Sequence, residues 1–158
     1  MKLKNTSIIF AVVVIFSIML TGCGDPVKDD IVNFDKSCGT FTQVMQDIQK
    51  ELTSADSSNV SKILTEDAQK LESTKKSVEA IEVKTQELKD VRKILIDALD
   101  LTAQGCKTIG EAAKDPLKAD QNAVKEAQDK LTKGSERFTE FSKKYEELAK
   151  KHGLEVQK

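Results

Sequence analysis

Val27, Ile31, Phe34, Cys38, Phe41, Met45, Ile48 and Leu52 follow one another at alternating steps of four and three residues. That spacing lines one side of an α-helix with apolar groups, the seam by which helices pack on helices. A strand would instead alternate every second residue. Pro26 suits the first helical turn and Asp25 its cap. The spacing therefore predicts a helix from Pro26 to Leu52. The segment Thr53-Ser54-Ala55-Asp56-Ser57-Ser58 has no apolar period and reads as a turn.

Three further seams follow. Val60, Leu64, Ala68, Leu71, Val78 and Ile81 form a weaker one, with Thr74 inward, interrupted by Glu82-Val83-Lys84-Thr85. Thr85 is a good N-cap, and Glu87 in the next turn favours the helix dipole. Leu88, Val91, Leu95, Ala98, Thr102, Ile109 and Ala112 form the third seam, widened by Ile94, Leu99 and Leu101, and its helix must stop before Pro116. The fourth runs from about Asp120 through Val124, Ala127, Leu131, Gly134, Phe138, Phe141, Tyr145, Leu148 and His152, with Gly153 as the residue that ends it. No helix this polar is stable alone, so each must bury its seam against the others. The expected fold is all-α: an antiparallel up-down bundle of four long helices, or a three-helix core with one helix laid against it. Topology places the Asp56 and Pro116 loops at one end, and the Glu82–Thr85 loop and the C-terminus at the other, with the start of the first helix.

The first residues read differently. Lys2 and Lys4 precede a run from Ile8 to Leu20 that is apolar except for Ser17, the pattern of a signal peptide. The run is short for a permanent membrane span, which needs about 20 apolar residues. It closes on Leu20-Thr21-Gly22-Cys23. Charge, apolar length, two small residues and the closing cysteine together resemble the lipobox of bacterial membrane lipoproteins. The resemblance implies diacylglycerol transfer to the Cys23 thiol, cleavage between Gly22 and Cys23, and fatty acyl chains such as palmitate on the mature N-terminus. Residues 1–22 would be the signal peptide and 23–158 a lipid-anchored helical domain on the extracytoplasmic face of the cell membrane. The competing reading is a secreted protein with Cys23 as a plain thiol. Two or three acyl chains anchor stably where one does not. In composition and seams the helical body resembles small uncharacterised lipoproteins of Gram-positive bacteria, a resemblance that implies no activity.

Two cysteines remain, Cys38 and Cys106, each beside a glycine. Outside the cytosol disulfides persist, and an even remainder invites a bridge. Against it, the parallel first and third helices would hold the two at different heights. The alternative is two buried thiols acting as small apolar residues.

The search for chemistry yields little. His152 is the only histidine and sits where it would cap the last helix, so no zinc set is available and no cofactor is expected. Paired acids such as Asp29 and Asp30, or Glu146 and Glu147, lie among lysines and read as a solvated face; Asp67 and Glu82 come closest to inward positions. Lys143, Lys144, Lys150, Lys151 and Lys158 gather at the membrane end, where they would touch anionic headgroups or serve the dipole and solubility. A formal net charge of −1 gives no footprint for nucleic acid. The expected function is non-enzymatic: an envelope lipoprotein that contacts another protein or a cell-wall polymer. The alternative is a carrier with a small molecule or lipid between its helices, lined by the small inward residues Ala98, Thr102, Gly105 and Gly134.

Overall fold

The structure is a computed structural model and describes residues 24–155. The signal segment, with Gly22 and Cys23, lies outside the described residues, as does Lys158. The described chain is all-helical, with five helices: α1 (Pro26–Ser37), α2 (Gly39–Thr53), α3 (Val60–Ala80), α4 (Gln86–Ala112) and α5 (Gln121–Lys151). None is long and apolar enough to cross a membrane.

The expected single first helix is corrected to two. Cys38 closes α1 with ψ near zero, its amide shared between the carbonyls of Phe34 at 2.8 Å and Asp35 at 3.1 Å. Ser37 turns its hydroxyl onto the Asn33 carbonyl at 2.8 Å, and Gly39, a poor helix former, opens α2. Serine and glycine together are a usual cause of a helix kink. The apolar spacing runs through the break unchanged. Ile31, Phe34, Met45 and Ile48 are buried, whereas Cys38 and Phe41 between them are only partly so.

The long helices run antiparallel in sequence order. At one end the Ser61 hydroxyl of α3 donates to the Gly110 carbonyl of α4 at 2.7 Å, and further along Lys75 pairs with Asp100 at 2.5 Å. Between α4 and α5, glycines replace side chains at the crossing. A Cβ at Gly105 would stand 2.6 Å from the Leu131 side chain, and one at Gly134 would collide with the Thr102 hydroxyl. Ala98 and Thr102 are buried at this crossing. The small residues that could have lined a ligand cavity instead let two backbones approach. Helix α4 buries the broadest face, from Leu88 through Leu95, Leu99 and Cys106 to Gly110.

The helix ends show which residues fix the boundaries. Asp25 caps α1, accepting from the Val27 amide at 2.9 Å and the Lys28 amide at 3.3 Å. Asp120 caps α5 in the same way. At the far end of α5, Gly153 has φ +69°, its amide bonds the Lys150 carbonyl at 3.0 Å, and the Leu154 amide bonds that of Ala149 at 2.9 Å. This paired closure favours glycine at its left-handed position, and the buried Leu154 seals it.

Two expectations about acids are corrected. Asp30 does not face solvent: it is buried, and its carboxyl accepts from the Lys84 amide at 3.0 Å, the Thr85 amide at 2.9 Å and the Thr85 hydroxyl at 2.7 Å. Thr85 stands at the N-cap position of α4 but makes no side-chain cap; its hydroxyl is turned to Asp30, to which it donates. Glu82 is exposed, while Asp67 is fully buried beside Lys70, 3.4 Å away.

Candidate functional site

Where α1 gives way to α2 the seam lifts from the core, and a recess of about 320 Å³ opens at the surface. Every phenylalanine and tyrosine of the described residues lines it: Phe34, Phe41, Phe138, Phe141 and Tyr145. The rings support one another, with centroids 6.0 Å apart for Phe34 and Tyr145, 6.2 Å for Phe41 and Phe138, and 5.5 Å for Phe141 and Tyr145. Such tilted and offset pairs are favourable beyond their buried area. Phe34 and Tyr145 form a buried floor, and Phe41 is half-buried at the edge. Thr42, Gln43, Gln46 and Ser142 supply a polar rim.

Asp35 and Cys38 complete the wall. Burial pushes the Asp35 carboxyl up to about 6, an effect only partly opposed by its hydrogen bond with the Tyr145 hydroxyl. That hydroxyl also lies 3.4 Å from the Ile31 carbonyl. Burial, with the Asp35 charge nearby, pushes the Cys38 thiol up to about 12. Burial and the Asp67 charge do the same to Cys106. A thiol acts as a nucleophile only as thiolate, so both are held in the unreactive form.

Of the two readings left open for Cys38 and Cys106, the structure has the unbridged one: both are free thiols. Cys38 shares the recess wall with Leu95 of α4. From Leu95 to Cys106 is roughly 16 Å of helical rise. A disulfide needs Cα atoms within about 7 Å.

The remaining sequence candidates lie apart from the recess. His152 caps the C-terminus of α5, and its Nδ1 stands 2.6 Å from Asp25 Oδ2. The bond from His152 is the main reason the Asp25 carboxyl sits below the usual range. Of the lysines at that end, Lys150 pairs with Glu146 at 2.5 Å and Lys151 with Glu87 at 3.3 Å, while Lys144 stands 3.9 Å from Glu140. Among the described residues no group of three His, Cys, Asp or Glu side chains converges as metal ligands.

The family model described as "Uncharacterised lipoprotein PM1805" matches residues 28–153, nearly the whole helical body. The chain belongs to this lipoprotein family. No curated protein and no solved structure matches it. The matched span of the lipoprotein begins within α1 and ends at Gly153, so it contains both the recess and the whole of α5. Sequence reasoning placed Phe34, Phe41, Phe138, Phe141 and Tyr145 on seams and read them as core. The signal that could have separated them was concentration: in a chain that is 4% aromatic, the rings beyond the signal segment fall in two short stretches, Phe34 to Phe41 and Phe138 to Tyr145.

Proposed function

We propose that this lipoprotein is a non-enzymatic interaction module. Acyl chains on Cys23 hold the helical body at the extracytoplasmic face of the cell membrane, and the recess at the α1–α2 break contacts an envelope protein or cell-wall polymer. The observation that carries this reading is the recess itself, a surface-open aromatic concavity where the seam of α1 and α2 leaves the core. Its position suits the task. Asp25 follows Cys23 closely, and from Asp25 to Cys38 is roughly 20 Å of helical rise, enough to lift the recess clear of lipid headgroups. The protonated thiols of Cys38 and Cys106 support a binding role over a nucleophilic one.

A photocrosslinking residue at Gln43, on the rim, tests the reading in the native envelope, with Lys125 on α5 as the control position. The expected result is a discrete adduct, identified by mass spectrometry, from position 43 and not from position 125. Identical adducts from both, or none from either, would count against the recess as the contact site. A carrier role has one observation in its favour, the volume of the same recess; an adduct at position 43 of small-molecule mass, with no macromolecular one, would establish it.

A further inference from the structure

We infer that the recess takes an organic ammonium group, held between the Asp35 carboxylate and the aromatic rings. The inference rests on the recess being the contact site and names the chemistry that it recognises. The chain holds 25 basic against 26 acidic side chains, yet among the described lining residues Asp35 is the sole ionic group and no lysine, arginine or histidine shares the wall. A lone carboxylate in an aromatic setting selects for positive charge. The faces of phenylalanine and tyrosine rings attract a cation within about 6 Å of the centroid, more strongly where water is partly excluded. The rim groups Thr42, Gln43, Gln46 and Ser142 offer neutral acceptors for N–H or O–H donors at the mouth.

The carboxylate lies partly out of water. Asp35 is half-buried, and Tyr145 has a single hydroxyl proton to divide between it and the Ile31 carbonyl. An ammonium head would replace the lost hydration. The other titratable groups facing the site are Cys38 and Tyr145, and burial keeps both neutral at physiological pH. Ammonium is carried by free metabolites and by lysine side chains of a partner, so both sources need a probe.

Tyr145 is the only tyrosine and the chain has no tryptophan, so intrinsic fluorescence of the purified lipidated protein in detergent micelles reports on the recess alone. Choline stands for a free ammonium, with 3,3-dimethylbutan-1-ol as its neutral isostere. Nα-acetyl-lysine methylamide stands for a partner's lysine, with its Nε-acetylated form as the neutral control. Either charged probe should saturate the Tyr145 signal at concentrations at least tenfold below those its neutral counterpart needs, and the stronger of the two identifies the source. Asp35→Asn should weaken binding tenfold or more, and binding should fall as pH drops below about 6. Should Asp35→Asn fold poorly, Gln46→Lys places a competing ammonium at the rim and should weaken binding by a similar factor. Neutral probes that match the charged ones, or no saturation by any, would overturn the inference. A crosslink at position 43 that survives such a result would leave the interaction reading standing, whereas loss of both would remove the two together.

Discussion

The hydroxyl of Thr85 donates to the carboxyl of Asp30 at 2.7 Å, joining the first turns of α4 to α1 across 55 residues of sequence. The same carboxyl takes the amides of Lys84 and Thr85, so one buried side chain satisfies the turn that starts the central helix. Burial alone would raise its pKa, but the bonds from Thr85 and Lys84 outweigh burial and hold the carboxyl below 3.8.

Asp30→Ala should therefore be among the most damaging single changes. It removes three part-buried hydrogen bonds, each contributing about 0.5–1.5 kcal/mol, and the expected loss is about 2 kcal/mol or more, read from urea unfolding. The sign with pH follows from the lowered pKa: the stabilisation is present above the unfolded value and is lost as pH falls through the folded one. The gap between wild type and variant should hold at neutral pH and close only below pH 3.8. A near-neutral Asp30→Ala would show that the turn is held by something else.

Asp67 works in the opposite direction. It is fully buried, one carboxyl oxygen has no partner, and burial, reinforced by Glu51, pushes its pKa up to about 7 despite Lys70. An acid whose folded pKa is raised stabilises the fold below its unfolded value and loses that contribution as pH rises through the folded value. Melting temperature should decline between about pH 4 and pH 7, with Asp35 adding to the slope up to about pH 6. Asp67→Asn should flatten most of the decline. An unchanged slope in Asp67→Asn would contradict the assignment.

The α4–α5 crossing predicts a compensating pair. Gly134→Ala drives a methyl into Thr102, whose buried hydroxyl is committed to the Ala98 carbonyl at 2.8 Å. Overpacking of this kind costs about 1–3 kcal/mol, more than alanine's gain in helix propensity of about 1 kcal/mol. Thr102→Ala removes the obstacle, so the double variant should be more stable than Gly134→Ala alone. Simple additivity would show that the helices are not in contact there.

The two thiols give a direct check on the cysteine geometry. With both free, reductant should leave the melting temperature unchanged, and Ellman's reagent should find Cys38 and Cys106 slow to react in the folded protein and fast in denaturant. Denaturant without reductant should expose both. A protein that needs reductant before these thiols titrate holds a bridge and contradicts the structure.

Much of this fold was legible because a seam is a local property. The spacing from Val60 to Val78 located α3, and Gly153 marked the end of α5 because glycine takes the left-handed closing position of a helix at least cost. The break at Cys38 was not legible, since Ile31 to Ile48 keep their period through it and periodicity cannot see a kink. Nor was the burial of Asp30, whose partners stand far along the chain while its neighbours read as a solvated face. The recess follows from both features. Phe34, Phe138 and Tyr145 occupy seam positions that ordinarily mean core, and only the displaced α2 turns them into the floor of an opening.

Everything proposed for the recess supposes that the helical body is displayed from a membrane by lipid on Cys23. Intact-mass analysis of the native protein, extracted from its own envelope, tests that most directly. The account predicts a mature chain that begins at Cys23 and carries the added mass of a diacylglyceryl group. A chain that starts at Met1, or one that begins at Cys23 with no acyl mass, would contradict it.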